Sequence, residues 1–178
     1  MPRIVEVIPY NPTWPQIYGA EVAQVLPVLG ANLVAAHHIG STAVPGLAAK
    51  PTIDILLVVH ELAALDACNP ALAELGYQPK GEHGILGRRY FSKNEGDRHL
   101  FHIHAYAEGH TDIDRHLNFR DYLIAHPSVA LDYQALKQGL AAKFREEPAV
   151  YTAGKADFIQ KVEKRAAAWR AGLVQETG

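Results

Sequence analysis

The hydrophobic pattern of the first sixty residues predicts two core strands. Residues 33–39 and 52–59 are rich in aliphatic and β-branched side chains, which is typical of strands buried on both faces. The second strand contains the run IDILLVV, in which Asp54 is the single polar residue. A buried carboxylate without a partner costs several kcal/mol. Asp54 must therefore be hydrogen-bonded, paired with a cationic side chain or bound to a metal ion.

A different pattern follows in residues 77–106, which predict two or three antiparallel strands. We expect a hairpin loop at 81–87, a strand at 88–92, a polar turn at 93–97 and another strand at 100–106. Side chains alternate between the two faces of a strand. His102 and His104 should therefore share one face of the last strand, and Phe101, Ile103 and Ala105 the other.

Helical spacing of apolar residues dominates the rest of the chain. We predict a short strand at 4–8, then a helix after Thr13 that Pro27 ends or bends, and a helix at 61–75 whose middle Pro70 leaves undecided. Further helices are predicted at 114–125, 127–144 and 155–173. The expected fold class is α+β, a small mixed sheet flanked by helices with added C-terminal helices, in one domain over residues 1–178.

Composition argues against several classes of protein. A formal charge of −2 and a pI near 6.5 argue against the strongly basic kind of nucleic-acid binder. No apolar run approaches the length of a membrane span, and the N-terminus lacks the pattern of a signal peptide. One cysteine excludes an intramolecular disulfide framework. We expect a cytoplasmic protein with no membrane partner.

A Gly-Ser turn precedes the Asp54 strand and supplies the first functional candidate. Gly40, Ser41 and Thr42 lie between the two predicted strands. If this turn begins a helix, its backbone N–H groups can hold a phosphate. A carboxylate on the neighbouring strand can bind a divalent cation bridging the same phosphates. The alternative is a plain strand–turn–strand in which Asp54 caps a backbone amide.

The segment HHIGSTAVPGLAAKPTIDILLVV resembles the signature of the GrpB family. The segments VIPYNPTW, FRDYL (119–123), LK (136–137) and YTAGKADFI (151–159) are also similar to that family. The resemblance implies the nucleotidyltransferase-like fold superfamily, whose members carry a Gly-Ser turn followed by an Asp-x-Asp/Glu strand and a third carboxylate on a later strand. It also implies a relationship to a domain joined to some dephospho-CoA kinases, a hint of nucleotide or coenzyme metabolism.

Carried over to this chain, the superfamily pattern is incomplete. Asp54 matches the first acid, but Leu56 stands where the second belongs, and the later strand offers His102 and His104. These two histidines and Asp54, with His38 as a further candidate, suit an ion such as Zn²⁺ or Mn²⁺ better than Mg²⁺. Alternatively the site is metal-free and a histidine acts as acid, base or phosphate contact. The histidines could also form only a half-exposed strand face.

Four basic residues are candidate phosphate contacts. Lys50 precedes Pro51, whose ring favours an extended conformation that places the amine at the mouth of the loop. Arg120 either pairs with Asp121 on a helix surface or enters the cleft. Lys137 and Lys155 face the ligand edge of the sheet if the superfamily arrangement holds. A solvated surface position is the alternative for each of them.

The resemblance implies a predicted nucleotidyltransferase-like protein that binds a nucleotide or another phosphorylated small molecule. Asp54, His102 and His104 would be catalytic or metal-binding. Gly40, Ser41, Thr42, Lys50, Arg120, Lys137 and Lys155 would bind the phosphates, and Mg, Mn or Zn is the candidate cofactor. The alternative is a nucleotide- or coenzyme-sensing module without catalysis, which Leu56 favours. A third interpretation, a structural partner domain, rests only on the basic C-terminal helices.

Overall fold

The computed structural model describes the backbone of residues 4–176 and the side chains of residues 4–172. Its helices are α1 (Trp14–Leu29), α2 (Leu62–Ala67), α3 (Asn69–Glu74), α4 (Thr111–Ala125), α5 (Pro127–Lys143), α6 (Pro148–Ala153) and α7 (Ala156–Glu176). The strands are β1 (Leu33–Ile39), β2 (Ile53–Val59), β3 (Tyr77–Pro79), β4 (Arg88–Glu95) and β5 (Arg98–Ala107). The predicted domain extends beyond the described residues at both ends.

The strands form one five-stranded sheet in the order β1-β2-β5-β4-β3. The pair β2–β5 is parallel and the other pairs are antiparallel. The predicted α+β class with a mixed sheet and C-terminal helices is therefore confirmed. The sheet order also confirms that the three segments predicted to carry the site are neighbours, because β2 lies between β1 and β5.

The two faces of β2 have different roles. Ile55 and Leu57 are fully buried in the main core, against apolar residues of α1, α2 and α3 such as Val25, Leu65 and Leu72. The opposite face carries Asp54 and Leu56. Because the period of a strand is two residues, one β2 strand supplies both the core and the site.

Helices α4 to α7 follow the sheet and pack against one another. Their own core contains Leu123, Tyr133, Val162 and Ala166. Proline begins α5 and α6, where a missing N–H costs nothing. Helix α4 begins three residues earlier than predicted, at Thr111, because the imidazole of His110 accepts a hydrogen bond from the Asp112 N–H. Within residues 4–176, no helix combines the length and apolarity that crossing a membrane requires.

Several predicted boundaries were wrong. Residues 4–8 do not form a strand; a single bridge joins Ile8 to Ala49. The predicted helix at 61–75 is two short helices, since Pro70 lies at the start of the second and cannot donate to the first. Strand β4 continues to Glu95, and the predicted turn at 93–97 shrinks to Gly96 and Asp97.

Candidate functional site

Asp54 lies near the start of β2, on the face of that strand turned away from the main core. It is opposite Ile39 in β1 and opposite His102 in β5. Its Oδ1 atom is 3.2 Å from Nδ1 of His102 and 3.6 Å from Nε2 of His104. The structure thus brings together the three residues predicted as catalytic or metal-binding. Their roles stay predictions.

The two histidines explain how the Asp54 carboxylate is tolerated. Burial alone would raise the pKa of this carboxyl. Hydrogen bonds and charge interactions from His102 and His104 outweigh burial, and they hold the pKa of Asp54 far below its usual range. Asp54 is therefore ionised at neutral pH and accepts hydrogen bonds only.

A third histidine, His99, extends this group. Its Nδ1 atom is 2.7 Å from Nε2 of His102, whose Nδ1 faces Asp54. The result is a carboxylate–imidazole–imidazole chain. Sequence reasoning found no signal at His99 and assigned it no role. Strict alternation along the strand would place its side chain on the face opposite His102. The pairing of β4 with β5 shifts register between Lys93 and Asn94, which interrupts that alternation.

The Gly40-Ser41 turn lies directly against Asp54. Gly40 has φ 74° and ψ −173°, a backbone region that is essentially restricted to glycine. A Cβ atom here would stand 2.6 Å from Oδ2 of Asp54. The turn continues as a three-residue 3-10 helix, Ser41–Ala43, and not as the longer helix that the phosphate-cradle hypothesis assumed. Thr42 is buried, with its hydroxyl 2.9 Å from Nε2 of His38.

Lys137 reaches the same turn from α5. Its side chain is buried, and its Nζ atom donates to the Ser41 hydroxyl at 3.0 Å and to the carbonyl of Ala48. Burial, with Lys155 and Lys50 nearby, lowers the pKa of this amine to about 7. The resemblance implied that Lys137 faces the ligand edge of the sheet, and a solvated surface position was the alternative. The structure has a buried amine at the turn.

Lys155 and Lys50 complete the basic side of the site. Their Nζ atoms are 4.6 Å and 5.3 Å from the ring centre of Tyr151, at the end of α6. Burial and the charge of Lys50 lower the pKa of Lys155 to about 8, against an opposing effect of Asp54. Packing several amines together is unfavourable unless an anion joins them.

These residues surround a cavity of ≈ 600 Å³. Its charged lining consists of Lys50, Lys80, Lys137 and Lys155 against the single carboxylate of Asp54. Most of the predicted site residues line it, and Arg120 and the further candidate His38 do not. Those in the lining are Gly40, Ser41, Thr42, Lys50, Asp54, His102, His104, Lys137 and Lys155. Lys80, His83 and Tyr90 also line it, although sequence reasoning assigned them no role.

Arg120 is placed outside this lining. Its guanidinium pairs with Asp121 at 2.7 Å and donates to the carbonyl of His38 at 3.0 Å. Asp121 also pairs with Arg170 of α7. Of the two arrangements that the sequence left open, the structure has the Arg120–Asp121 pair within α4. The hydrogen bond from Arg120 to the carbonyl of His38 joins α4 to the end of β1.

The side-chain nitrogen and oxygen atoms around Asp54 do not form a metal site by themselves. Among the described side chains, no group of three or more His, Cys, Asp or Glu residues is arranged to hold an ion. Both histidine nitrogens nearest Asp54 are directed to its Oδ1 atom. Leu56 is fully buried with Ile39 and Tyr106, so the position of the second acid is apolar. We therefore derive no chemical step through a metal.

The fold and cavity define an α+β protein with a basic cleft over the interior strands β2 and β5 of a mixed sheet. The GrpB protein family model matches residues 4–165, and the chain belongs to this family. A solved structure of GrpB from Enterococcus faecalis is 38% identical, covers 90% of this chain and 96% of its own, and superposes with a TM-score of 0.87.

Two curated relatives extend beyond the matched region. The UPF0157 protein YqkA of Bacillus subtilis is 43% identical over 99% of this chain, which spans 51% of the relative's length. A dephospho-CoA kinase of Mycolicibacterium paratuberculosis is 30% identical over 93% of this chain and 46% of its own length. The chain thus spans about half of each of these proteins.

Proposed function

We propose that this protein binds a nucleotide or a related phosphorylated small molecule in the cavity beside Asp54. The observation that carries the proposal is the charge of the lining, four lysines against one carboxylate. The amines of Lys137 and Lys155 are held partly desolvated, where an interaction with an anion is stronger than in water. A polyphosphate would relieve their mutual repulsion.

The cavity volume suits a small organic ligand. Pockets for such ligands usually enclose about 300–1,000 Å³, and this one encloses ≈ 600 Å³. The nucleotidyltransferase-like relationship implied by the sequence supports a nucleotide. The name of the dephospho-CoA kinase relative adds phosphorylated coenzymes to the candidates.

A binding experiment tests the proposal. Tripolyphosphate and nucleoside triphosphates should raise the melting temperature in the presence of EDTA, and added salt should reduce the shift. Lys155→Ala should weaken binding about 10- to 100-fold, because it removes one charge-assisted contact. Lys143→Ala is the matched control, since Lys143 is exposed on the same group of helices outside the cavity lining.

Equal weakening by the two substitutions would contradict the proposal, because it would show only a general effect of net charge. The absence of any shift with tripolyphosphate and with all four common nucleoside triphosphates would also contradict it.

Nucleotidyl transfer is a second candidate function. The chain of Asp54, His102 and His99 favours it, because an imidazole oriented by a carboxylate can accept the proton of an attacking hydroxyl. The buried Leu56 weighs against the two-metal version, which needs a second carboxylate to hold both ions.

We therefore expect ligand binding that persists in EDTA, with little or no Mg²⁺-dependent pyrophosphate release from nucleoside triphosphates. Pyrophosphate release with Mg²⁺ or Mn²⁺ is the measurement. Turnover near the roughly 1–10³ per second of ordinary enzymes would make transfer the primary function. Asp54→Asn would then have to abolish it, which serves as the control against a contaminating enzyme.

A further inference from the structure

The loop between β3 and β4 holds a histidine in a strained backbone conformation. His83 has φ 45°, and it is the one non-glycine residue with positive φ in the described part of the chain. Such a conformation is unfavourable for a residue with a side chain. The same loop has glycines with positive φ at 81, 84 and 87, so a glycine would suit position 83 as well.

The loop backbone is fixed by the buried side chain of Arg88. Its Nε atom donates to the carbonyl of Glu82 at 3.1 Å, and its Nη2 atom donates to the carbonyl of His83 at 2.6 Å. The N–H of Gly87 donates to the Glu82 carboxylate at 2.8 Å. The buried Arg88 thus fixes the backbone conformation of His83 through these hydrogen bonds.

The His83 ring lies on the ring of Tyr90. The ring centres are 4.8 Å apart and the planes differ by 9°, a stacked arrangement. The guanidinium of Arg88 lies 5.0 Å from the centre of the Tyr90 ring. His83 is exposed, and both rings line the cavity together with Lys80. An aromatic surface therefore closes the end of the cavity formed by β4.

We propose that His83 is a subsite for the aromatic base of a nucleotide. This inference rests on the proposed function and specifies its ligand as one with an aromatic ring. The base would stack on His83, while the phosphates lie on Ser41, Lys137 and Lys155. Tyr90 is on β4 and Asp54 is on β2, two strands apart and hence separated by about 10 Å. That separation is comparable with the reach of a nucleotide from its base to its phosphates.

The stacking of His83 on Tyr90 and its fixed backbone each support a role in ligand binding. Stacking on a single ring accepts any base, since every base has a π face. The stack on Tyr90 and the bond from Arg88 hold the His83 ring ordered before a ligand arrives, which reduces the entropy lost on binding. We therefore expect a preference for nucleotides over inorganic polyphosphate, with little discrimination among bases.

Binding of ATP, GTP, CTP, UTP and inorganic tripolyphosphate to the full chain in EDTA tests the subsite. The nucleotides should bind about 5- to 150-fold more tightly than tripolyphosphate, the range expected for one stacked base. His83→Gly should remove most of this preference and leave tripolyphosphate binding unchanged. His83→Phe, which keeps an aromatic ring, should retain the preference.

Two controls accompany the comparison of wild-type and His83→Gly affinities. His83→Gly relieves the backbone strain, so its melting temperature should not fall, and the loss of preference then does not come from unfolding. His60→Ala changes an exposed histidine outside the cavity lining and should leave every affinity unchanged.

Nucleotides that bind no more tightly than tripolyphosphate would overturn the base subsite and leave the phosphate site standing. The base subsite would also be overturned if His83→Gly keeps the full preference, if it weakens tripolyphosphate and nucleotides equally, or if His83→Phe loses the preference. A protein that binds neither nucleotides nor tripolyphosphate would overturn the subsite and the proposed function together.

Discussion

Gly40→Ala is expected to lower the free energy of unfolding by roughly 3–5 kcal/mol. The substitution forces a side chain into a backbone region that is essentially restricted to glycine, with φ 74° and ψ −173°. It also places the new methyl group 2.6 Å from Oδ2 of Asp54. Since Asp54 is held by His102, the carboxylate has little room to withdraw. Denaturant unfolding measures the loss.

Gly46→Ala separates the cost of the backbone conformation from the cost of the contact with Asp54. Gly46 also has positive φ, at 80°, but a Cβ atom there would meet no other atom within 4 Å. We expect a smaller loss of about 1–2 kcal/mol from the backbone alone. Equal losses at the two glycines would show that the contact with Asp54 is not costly, and that the turn can move away from the site.

Lys137→Met should reduce the affinity for tripolyphosphate at pH 7 about 10- to 100-fold, because it removes a charge-assisted contact at the Ser41 turn. The wild-type affinity should itself fall as pH rises above about 7, where the Lys137 amine loses its proton in the free protein. A polyanion favours the charged amine, so binding should take up protons. Calorimetry in buffers with different ionisation enthalpies measures that uptake.

The Lys137 amine should also make the free energy of unfolding depend on pH. Burial, with Lys155 and Lys50 nearby, lowers the Lys137 pKa to about 7 from its usual 10.5. Between these values the unfolded chain holds a proton that the folded chain lacks, so this amine makes the free energy of unfolding rise with pH. The difference between wild type and Lys137→Met should change by roughly 1.4 kcal/mol per pH unit across that window, in favour of the wild type as pH rises. A pH-independent difference would mean that Lys137 is not buried as a neutral amine.

The sequence predicted the core of the site because a single anomaly pointed to it. Asp54 interrupts a run of aliphatic residues, and strand alternation puts His102 and His104 on one face of a later strand. The Gly40-Ser41 pair was singled out as a turn whose backbone N–H groups can hold a phosphate. Each of these inferences uses residues within one strand or one turn, and the family resemblance assigned them to one site.

Other parts of the site depend on how separate elements meet, which local pattern does not encode. His99 joins the group through a register shift between β4 and β5. His83 lies in a loop whose shape depends on the buried Arg88. Arg120 was predicted among the phosphate contacts, but it pairs with Asp121. Its position is decided by the docking of α4 on β1 and of α7 on α4.

The bond from Lys137 to Ser41 spans 96 residues of chain, and the bond from Lys137 to Ala48 spans 89. The strands of the sheet, with Asp54 and its histidines, precede Lys137 and Lys155 along the chain and are therefore synthesised first. The entropy lost in closing such a long loop is offset only after α5 and α6 have docked. A chain truncated after β5 would keep the Asp54 carboxylate, Lys50 and Lys80 but lose Lys137 and Lys155, two of the four lysines of the proposed phosphate site. Ligand binding would therefore distinguish finished molecules from fragments, and a ligand present during synthesis would stabilise only the finished ones.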